Sequence, residues 1–448
     1  MAEAAIPLIA DYRAERVFAW RSGAPVTAGA ALCDIRAIVD ALVDALADAP
    51  AGRAALFNLC DDRYLFTVAF AAGCSASALN LLPQTRRPAA LDAIRASHPG
   101  ALVVDDAWVE ARLAGAAPAE PPAAPPTIAA AQPVAVVFTS GSTGRPDPQY
   151  KRWGDLAIGS DLLRQRFFPA DTAMNVIASV PAQHMYGFET SVLLALHGGF
   201  VADSARPFMP WQIADALAGV PGPRCLLTTP IQLKACIEAG VSFAPLARII
   251  SATAPLSAEL AAVAERRWQT EVYEIYGSSE TGSIASRRTA REAEWRLYDG
   301  LRIEPIADKV RVGGGQLADP ATLDDAIEIL DAGRFRLLGR ADDLVKVAGK
   351  RISLAELSAA LLGLDGVRDA VVFASPEAPA SERPTALVVA PERTPRELSA
   401  ALARRVDPVF VPRPMVKVDR LPRNATGKLA RADLHAAWRQ ARRSATRG

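Results

Sequence analysis

A short run of hydroxyl residues and glycines has the composition of a phosphate-binding turn. It reads Thr139, Ser140, Gly141, Ser142, Thr143, Gly144, and it directly follows the apolar run 134–138. Glycines let the backbone approach an anion closely, while successive main-chain N–H groups and hydroxyls donate hydrogen bonds. Taken alone, the run is equally typical of a solvated loop. The hypothesis of nucleotide chemistry therefore depends on residues elsewhere in the chain.

The residues after this turn exclude a Walker loop. In a Walker loop a lysine immediately follows the second glycine. Here Arg145 and Pro146 follow Gly144, and the next lysine is Lys151. If the turn binds phosphate, it does so without the lysine that a Walker loop has at this position.

A second cluster combines an aromatic ring, a flexible turn and a carboxylate. Tyr276, Gly277, Ser279 and Glu280 lie within one short stretch after the strand-like segment 271–275. Without further context, Tyr276 and Glu280 are more often a strand-end aromatic and a surface acid than functional residues.

The last third of the chain adds three more polar segments. Asp325 precedes Gly339-Arg340-Ala341-Asp342-Asp343, and the chain continues through Gly349. Near the end, the segment 421–431 contains Lys428 next to a glycine. In isolation Lys428 would be a solvated loop lysine.

The order and spacing of these segments resemble the adenylate-forming superfamily, which includes acyl-CoA synthetases, luciferase-like enzymes and peptide-synthetase adenylation domains. The resemblance covers nearly the whole 448-residue chain. It implies an ATP-dependent, AMP-forming ligase in which a carboxylate attacks the α-phosphorus of ATP-Mg²⁺. A thiol then displaces AMP from the acyl-adenylate.

The resemblance also implies roles for individual residues. The turn 139–144 would grip the β- and γ-phosphates, Tyr276 would lie against adenine, and Glu280 would bind Mg²⁺. Asp325 would accept the ribose hydroxyls with Arg340 beside it, and Lys428 would be the mobile catalytic lysine that bridges the carboxylate and the α-phosphate. An ammonium group on a long stem suits that task, because charge accumulates on phosphate oxygens.

Four further positions match the family less specifically. His184 would form a wall between the acyl pocket and the thiol channel, although a lone histidine in an apolar stretch is as often a core residue. Ala252 lies where the family has a Gly-rich turn near adenine and the acyl group. Asp342 would be the hinge of the small domain, and Gly349 would approach the thiol channel.

The chain departs from the family pattern at the exit of the phosphate turn. Asp147, between two prolines, stands where the family has a cation. Either Lys151 or Arg152 reaches back to the phosphates, or the cation is dispensed with. The chain is also short for the family, with a passage between Arg287 and Leu323 that is expected to be brief and irregular.

Alternating strand-like and helix-like segments predict an α/β fold that positions these residues. The expected strands are 54–58, 101–104, 134–138, 225–228 and 248–251, and an amphipathic helix is expected over 30–48. The resemblance implies a large multi-layer N-terminal adenylation core, residues 1–340, and a small mobile α+β C-terminal domain, residues 341–448. The proline-rich stretch 114–133 is expected to be an extended surface connection.

Composition narrows the functional class. Lys and Arg total 50 against 49 Asp and Glu, so no basic field favours nucleic acid. The longest apolar stretch, 65–82, is interrupted by polar residues and predicts a buried helix and a strand, not a membrane span. The amino terminus lacks a secretory pattern, so a cytoplasmic protein is expected. The five cysteines show no metal-ligand spacing and are expected to be buried thiols.

The substrate is less well defined. The variant turn and short chain look similar to stand-alone ligases of aryl-polyene or xanthomonadin-type pathways, which implies an aryl hydroxy acid and an acyl carrier protein as acceptor. CoA is the alternative acceptor, and a fatty acid is the alternative substrate. A non-catalytic nucleotide-binding relative is the competing class, motivated by Asp147. The arginine-rich tail is either a docking site for an acidic carrier protein or a solvated helix face.

Overall fold

The fold was analysed in a computed structural model of the chain. It describes residues 4–47, 54–140, 146–168, 173–307, 309–340, 344–347, 350–374, 384–423, 429 and 431–445. The predicted residues 141–144, Asp342, Gly349 and Lys428 lie outside these ranges.

The strands alternate with helices through the first two thirds of the described chain. The strands are β1 Ala5–Pro7, β2 Val17–Arg21, β3 Ala24–Thr27, β4 Ala55–Asn58, β5 Leu79–Leu82, β6 Leu102–Val104, β7 Thr127–Ala129, β8 Pro133–Ser140, β9 Pro146–Arg152, β10 Asn175–Ala178, β11 Val201–Asp203, β12 Arg224–Thr228, β13 Arg248–Ser251, β14 Glu271–Ser278, β15 Gly282–Arg287, β16 Trp295–Leu297, β17 Leu301–Ile306, β18 Lys309–Gly314, β19 Leu317–Leu323, β20 Asp325–Ile329, β21 Arg334–Arg340, β22 Leu344–Val347, β23 Lys350–Ser353, β24 Asp369–Phe373, β25 Thr385–Val389 and β26 Met415–Lys417. The helices are α1 Ala28–Ala45, α2 Arg63–Ser75, α3 Pro88–Ser97, α4 Asp106–Gly115, α5 Trp153–Phe167, α6 Met185–Gly187, a π-helical segment Phe188–Leu193, α7 Leu194–His197, α8 Pro210–Ala218, α9 Pro230–Glu238, α10 Ala258–Trp268, α11 Leu354–Leu362, α12 Pro395–Leu402, a 3₁₀ turn Pro408–Phe410, and α13 Arg431–Ala445.

An eleven-stranded mixed sheet forms the centre of the fold, in the order β20-β21-β16-β15-β14-β13-β12-β10-β11-β2-β3. Its middle strands run parallel, from β14 through β13, β12 and β10 to β11. Parallel strands are covered by helices on both faces, which explains why the segments here are short continuous apolar runs. The predicted α/β class is confirmed.

A second sheet carries the candidate phosphate turn, in the order β6-β4-β5-β8-β9. β8 lies beside β5 in parallel and pairs with β9 in antiparallel register, with Thr139 opposite Asp147 and Ser140 opposite Pro146. The two prolines after the turn, Pro146 and Pro148, therefore lie in a strand. It is the edge strand of a hairpin, which is where a sheet tolerates proline.

The passage between Arg287 and Leu323 was expected to be irregular, but the structure shows regular strands. It contains β16 and an antiparallel three-stranded sheet, β17-β18-β19. Gly300, Gly314 and Gly315, all with positive φ, lie at the turns of this sheet. β17 and β18 alternate apolar and charged residues, but only over four positions each, so the strand signal is short.

Within the stretch 114–133, residues 116–126 form neither helix nor strand and lie mostly at the surface, as predicted for a connection. Its first two residues end α4, and 127–129 form β7, which pairs with β1. The apolar stretch 65–82 is divided between α2 and β5 as predicted. Within the described residues, no helix is both long enough and apolar enough to span a membrane.

The described residues after 343 pack around cores of their own. One core joins α11, α12, β24 and β25 through side chains such as Leu357, Leu361, Val388 and Leu398. A second places Trp438 of α13 against Phe373 and Leu387. The domain bounds 1–340 and 341–448 stay a prediction.

Candidate active site

The two halves of the predicted phosphate site meet at Lys151. This residue lies on β9, and its Nζ donates a hydrogen bond to the main-chain oxygen of Glu280 at 2.7 Å. Glu280 belongs to the turn between β14 and β15, so one contact joins the hairpin of the Thr139 turn to the central sheet. Lys151 is only 8% exposed, whereas its neighbour Arg152 is exposed. Of the two cations that the sequence offered, Lys151 is the one that points into the molecule.

Burial lowers the pKa of the Lys151 ammonium, and the negative charges of Glu189 and Glu280 oppose that shift. Among the described residues, no carboxylate oxygen forms an ion pair with Lys151. A buried ammonium group costs free energy unless it is compensated. The position is therefore suited to an anionic ligand.

The turn between β14 and β15 is held in shape by close backbone contacts. A Cβ on Gly277 would lie 2.1 Å from the main-chain oxygen of Gly282, so only glycine fits there. Gly282 has a φ of +67°, and a Cβ on it would lie 2.3 Å from Oε1 of Glu189. The turn leaves the Glu280 side chain exposed to solvent.

Tyr276 and Asp325 lie together on the same sheet. The Tyr276 hydroxyl, on β14, donates a hydrogen bond to Oδ2 of Asp325 at 2.6 Å. The Tyr276 ring packs near Trp295 and Phe335, with ring centroids 5.5 and 5.6 Å apart. Asp325 on β20 is paired in register with Arg340 on β21. The three residues that the resemblance assigned to the nucleoside therefore share one end of the sheet.

A small cavity of about 100 Å³ opens beside this turn. Four segments converge on it: the end of β5, the start of α6 with the π-helical segment, the turn after β13, and the β14–β15 turn. It is lined by Gln84, His184, Met185, Tyr186, Glu189, Ala252, Thr253, Ile275, Gly277, Ser278, Ser279, Gly282 and Ser283. His184 and Ala252, predicted from different motifs, meet here, and both are buried.

Glu189 is one of the residues of this cavity that the sequence analysis did not predict, together with Gln84 and Ser283. It lies in the π-helical segment, and both of its carboxylate oxygens accept from the Ser283 N–H at 3.1 Å. Burial raises its pKa to about 7. A signal existed, because Glu189 is the only acidic residue between Asp171 and Asp203, and a lone acid in an apolar run is unusual.

Thr253 has an unusual backbone conformation for a β-branched residue. Its φ is +78°, in the left-handed region that favours glycine. Its Oγ1 atom is buried and has no hydrogen-bond partner among the described residues. Strained residues of this kind cluster at functional sites.

The described residues contain no group of three or more His, Cys, Asp or Glu side chains that could hold a metal ion. Mg²⁺, however, is typically bound by one or two carboxylates together with substrate phosphates. The exposed Glu280 carboxylate beside the buried Lys151 ammonium fits that mode of binding.

Family models match most of the chain. Residues 29–310 match the AMP-binding enzyme family, and residues 356–428 match the AMP-binding enzyme C-terminal domain. The chain belongs to the AMP-binding enzyme family. This confirms the predicted adenylate-forming superfamily, and with it the enzyme class of AMP-forming acid–thiol ligases, which use ATP and Mg²⁺.

Individual AMP-binding enzymes resemble the chain at low identity. A 4-coumarate–CoA ligase from Halorhodospira halophila is 27% identical over 299 residues, which cover 65% of this chain and 73% of that protein. A fatty acid–[acyl-carrier-protein] ligase from Streptomyces coeruleorubidus is 26% identical over 348 residues, 67% of each chain. The solved structure of an o-succinylbenzoate CoA synthetase from Bacillus subtilis, in complex with ATP and magnesium ion, superimposes with a TM-score of 0.79 at 17% identity, covering 96% of this chain and all of that one.

Proposed function

We propose that this AMP-binding enzyme joins an aryl hydroxy acid to the phosphopantetheine thiol of an acyl carrier protein, in two steps. In the first, a carboxylate oxygen bonds to the α-phosphorus of ATP and pyrophosphate leaves. In the second, the thiol sulfur bonds to the acyl carbon, the acyl–oxygen bond breaks, and AMP and a proton are released. The contact of Lys151 Nζ with the Glu280 carbonyl is the observation that carries this proposal, because it joins the two predicted phosphate-binding segments.

The residues around this contact stabilise negative charge on the phosphate oxygens in this proposal. Negative charge accumulates on phosphate oxygens as pyrophosphate leaves, so the enzyme needs fixed donors and cations more than a nucleophile. We assign residues 139–144 to binding of the β- and γ-phosphates. We assign to Lys151 the role of the cation that the family has in this loop. Glu280 holds Mg²⁺, which when bound neutralises phosphate charge.

Tyr276 and Asp325 position the nucleoside. The hydrogen bond from the Tyr276 hydroxyl holds one Asp325 oxygen at 2.6 Å and thereby orients the carboxylate. Asp325, with Arg340 beside it, accepts the ribose hydroxyls in this proposal. Gly277 and Ser279 form the surface against which the nucleotide lies in this proposal, and the close approach of Gly277 to the Gly282 carbonyl fixes the shape of that surface.

Three roles fall on residues outside the described ranges and rest on the family pattern. Lys428 bridges the attacking carboxylate and the α-phosphate, Asp342 is the hinge, and Gly349 approaches the thiol channel. The small domain brings Lys428 to the site in the first step.

The cavity supports a compact acid with a polar substituent. Its apolar and aromatic lining, including Tyr186 and Ile275, is suited to a flat ring. Gln84, Thr253 and Glu189 supply hydrogen-bonding groups, and the buried Thr253 hydroxyl has no described partner. A long fatty acyl chain would need a longer apolar channel. The coumarate ligase relative is named for an aryl hydroxy acid.

The acceptor is a carrier protein in this proposal. The Streptomyces relative, which is named for an acyl carrier protein, spans the chain about as widely as the coumarate ligase does. CoA presents the same phosphopantetheine thiol and is the competing acceptor.

Carboxylate-dependent exchange of pyrophosphate into ATP tests the first step. We expect exchange with hydroxybenzoic or hydroxycinnamic acids that exceeds exchange with unsubstituted and fatty acids. Lys428→Ala should abolish it, whereas it should leave binding of ATP within a few-fold. Absence of exchange with every acid, together with ATP binding, would identify a non-catalytic nucleotide-binding protein.

Thioester formation tests the second step. The wild-type enzyme, ATP and the best acid are offered holo acyl carrier protein or CoA in parallel. Product on the carrier protein supports the proposal, and product on CoA alone contradicts it.

A further inference from the structure

One arginine is completely enclosed by the fold. Arg63 is the first residue of α2, and it is 1% exposed. Burial lowers the pKa of its guanidinium group to about 10, so the group stays charged at neutral pH. Arginine is almost never fully buried unless it is paired, and a cation is disfavoured at the N-terminus of a helix. Residues that break such local rules are expected at functional sites.

The Arg63 guanidinium group is held by neutral oxygens. Nη2 donates to the main-chain oxygens of Ala178 and Val180 at 3.0 and 2.8 Å, and Nη1 donates to Oγ of Ser191. Among the described residues, Arg63 forms no ion pair with Asp203 or with any other carboxylate. Its contacts therefore join three points of the chain by hydrogen bonds from a charged donor, which are stronger than those from a neutral one.

Ala178 and Val180 lie where β10 ends. β10 runs parallel to β11 and β12, and open α/β sheets bind ligands in the crevice outside the carboxyl ends of their parallel strands. From Val180 the chain continues to His184, which lines the cavity. Arg63 therefore fixes the point at which this connection leaves the sheet.

Ser191 lies in the π-helical segment Phe188–Leu193. Because arginine can only donate, the Ser191 oxygen accepts from Arg63, and the Ser191 hydroxyl donates to the main-chain oxygen of Gly187. A hydroxyl bonded to the carbonyl four residues earlier bends a helix, and π-helical turns are frequent at functional sites. Glu189 of the same segment lines the cavity. The contact between Arg63 and Ser191 therefore holds the turn that presents Glu189.

The two parts of the chain that Arg63 contacts also pack directly against each other. A Cβ on Gly187 would lie 2.1 Å from the main-chain oxygen of Pro181, so the backbones touch there. The N–H group of His184 donates to the same oxygen at 3.4 Å. Residues 178–191 are thus one folded segment that a single guanidinium group holds near both ends. The side chains at positions 184, 185, 186 and 189 of this segment line the cavity.

We propose that Arg63 is a positioning residue for selection of the acid. By holding the 178–191 segment near both ends, it fixes His184 and Glu189 in the wall of the cavity without touching the substrate itself. This inference rests on the proposed function in one respect, which is that the cavity binds the acid. The residues that we assign to ATP lie on β8, β9, β14, β20 and β21 and in the adjoining turns. Loss of the Arg63 contacts should therefore weaken selection of the acid and leave binding of ATP intact.

Two substitutions test the proposal. Ser191→Ala removes one acceptor of Arg63, and Arg63→Lys keeps the charge but places all donors on a single nitrogen. Pyrophosphate exchange gives the KM for the acid, the KM for ATP, and the ratio of kcat/KM between the best acid and any second acid that is used. We expect both variants to raise the KM for the acid about tenfold and to lower that ratio several-fold, because small misplacements of binding groups are costly. The KM for ATP should stay within about twofold of wild type, since its assigned residues keep their places.

Two control variants separate positioning from a general loss of stability. Ser75→Ala removes a similar hydroxyl, which donates to the main-chain oxygen of Ala71 at 3.0 Å in α2. Asn175→Ala removes a buried amide at the start of β10, which accepts from Trp20 and donates to the main-chain oxygen of Pro221. Asn175→Ala should lower the free energy of unfolding in urea, and both controls should keep the wild-type KM values and acid ratio.

The proposal fails if the KM for the acid and the acid ratio stay at wild-type values in Ser191→Ala. It also fails if Asn175→Ala changes them as much as Ser191→Ala does. Ser191→Ala alone gives the answer if Arg63→Lys does not fold, because it leaves the buried arginine in place.

Amide hydrogen exchange separates this proposal from the proposed function, because it needs neither acid nor ATP. Residues 185–193 should exchange about tenfold faster in Ser191→Ala than in wild type, since a hydrogen bond from a charged donor is lost, and Ser75→Ala should match wild type there. If this difference is seen but the wild type exchanges pyrophosphate with no acid, the ligase activity is contradicted and the holding role of Arg63 is not. Pyrophosphate exchange by the wild type, with equal amide exchange in Ser191→Ala and wild type, would contradict the role of Arg63 alone.

Discussion

A buried ammonium group lies between the two halves of the candidate active site. Lys151 reaches the Glu280 carbonyl from an edge strand, while Arg152 next to it faces solvent. We expect Lys151→Met to lower pyrophosphate exchange by about 100-fold or more, the magnitude typical of a lost electrostatic contact in a transition state. Methionine keeps the apolar stem and removes the charge.

Arg152→Ala is the matched control for Lys151. Because Arg152 is exposed, its removal should change exchange by less than twofold. If Arg152→Ala lowered exchange as much as Lys151→Met, or if Lys151→Met had no effect, the assignment of Lys151 as the loop cation would be wrong.

Because Glu189 is buried, the free energy of unfolding of the protein should depend on pH. Burial raises the pKa of Glu189 from 4.5 to about 7, so between these values the folded state binds more protons than the unfolded state. The contribution of Glu189 to the free energy of unfolding is therefore greatest below pH 4.5. It falls as pH rises through 7, by roughly 3 kcal/mol in total. Glu189→Gln should therefore gain stability over wild type at pH 8 and gain little at pH 5.

Urea unfolding of both proteins at pH 5 and pH 8 measures this difference. Glutamine retains an oxygen that accepts from the Ser283 N–H, so the hydrogen bond is conserved in the comparison. A stability difference that is the same at both pH values would contradict the assignment.

At the scale of elements, the turn after β13 stores strain. Thr253 has φ +78°, and such a conformation costs a β-branched residue of order 1–3 kcal/mol. Thr253→Gly relieves this strain against an entropic cost of about 0.5–1 kcal/mol. We expect a net gain of about 1 kcal/mol in the free energy of unfolding, and weaker discrimination between hydroxylated and unsubstituted acids.

Chemical denaturation and the acid panel together check this prediction. Thr322→Gly, at an exposed position of β19 whose φ is not positive, is the control and should destabilise. A loss of stability in Thr253→Gly similar to that in Thr322→Gly would show that the turn is unstrained.

The elements that could be predicted from the sequence are those whose signal is local. β12 and β13 have the expected bounds to within a residue, because a short apolar run is complete within the segment itself. β9 was not expected, since its prolines argue against a strand and only its position at a sheet edge permits them. β17 and β18 were not predicted although each alternates apolar and charged residues, because an alternation of only four positions beside turn residues is a weak strand signal.

The same distinction applies to the candidate site. His184, Ala252, Gly277 and Ser279 come from separate motifs, and the structure brings them to one cavity. Gln84 belongs to no motif, and only the packing of the segment after β5 around the cavity identifies it. Glu189 belongs to no motif either, and its one sequence signal is that it is an isolated acid. Whether these residues act as assigned stays a prediction.

At the scale of the whole molecule, a lysine of α9 contacts α11 and so joins the described residues before 341 to those after 343. Lys234 of α9 is 8% exposed, and its Nζ donates to the main-chain oxygen of Leu362 at the end of α11. Lys234→Met removes this donor and keeps the apolar stem. We expect amide hydrogen exchange in the last turn of α11 to become about tenfold faster, because a hydrogen bond from a charged donor contributes about 1.5 kcal/mol or more.

Glu238→Gln is the control for this measurement. Glu238 lies 3.8 Å from Lys234 and is partly exposed, so this ion pair should contribute little. Exchange in α11 that is equally fast in Lys234→Met and wild type would show that the contact does not hold the two parts together.

The edge position of β9 has a consequence for self-association. The outer edge of a sheet is a template on which another chain can add a strand, and proline and charged residues block such pairing. β9 carries Pro146, Asp147 and Pro148 at the edge of its sheet. The same three residues replace the usual cation of the phosphate turn, and they therefore also block edge-to-edge pairing of β9 with another chain. Replacing them with the family pattern would lower solubility, and it would add a cation that Lys151 already supplies in our proposal.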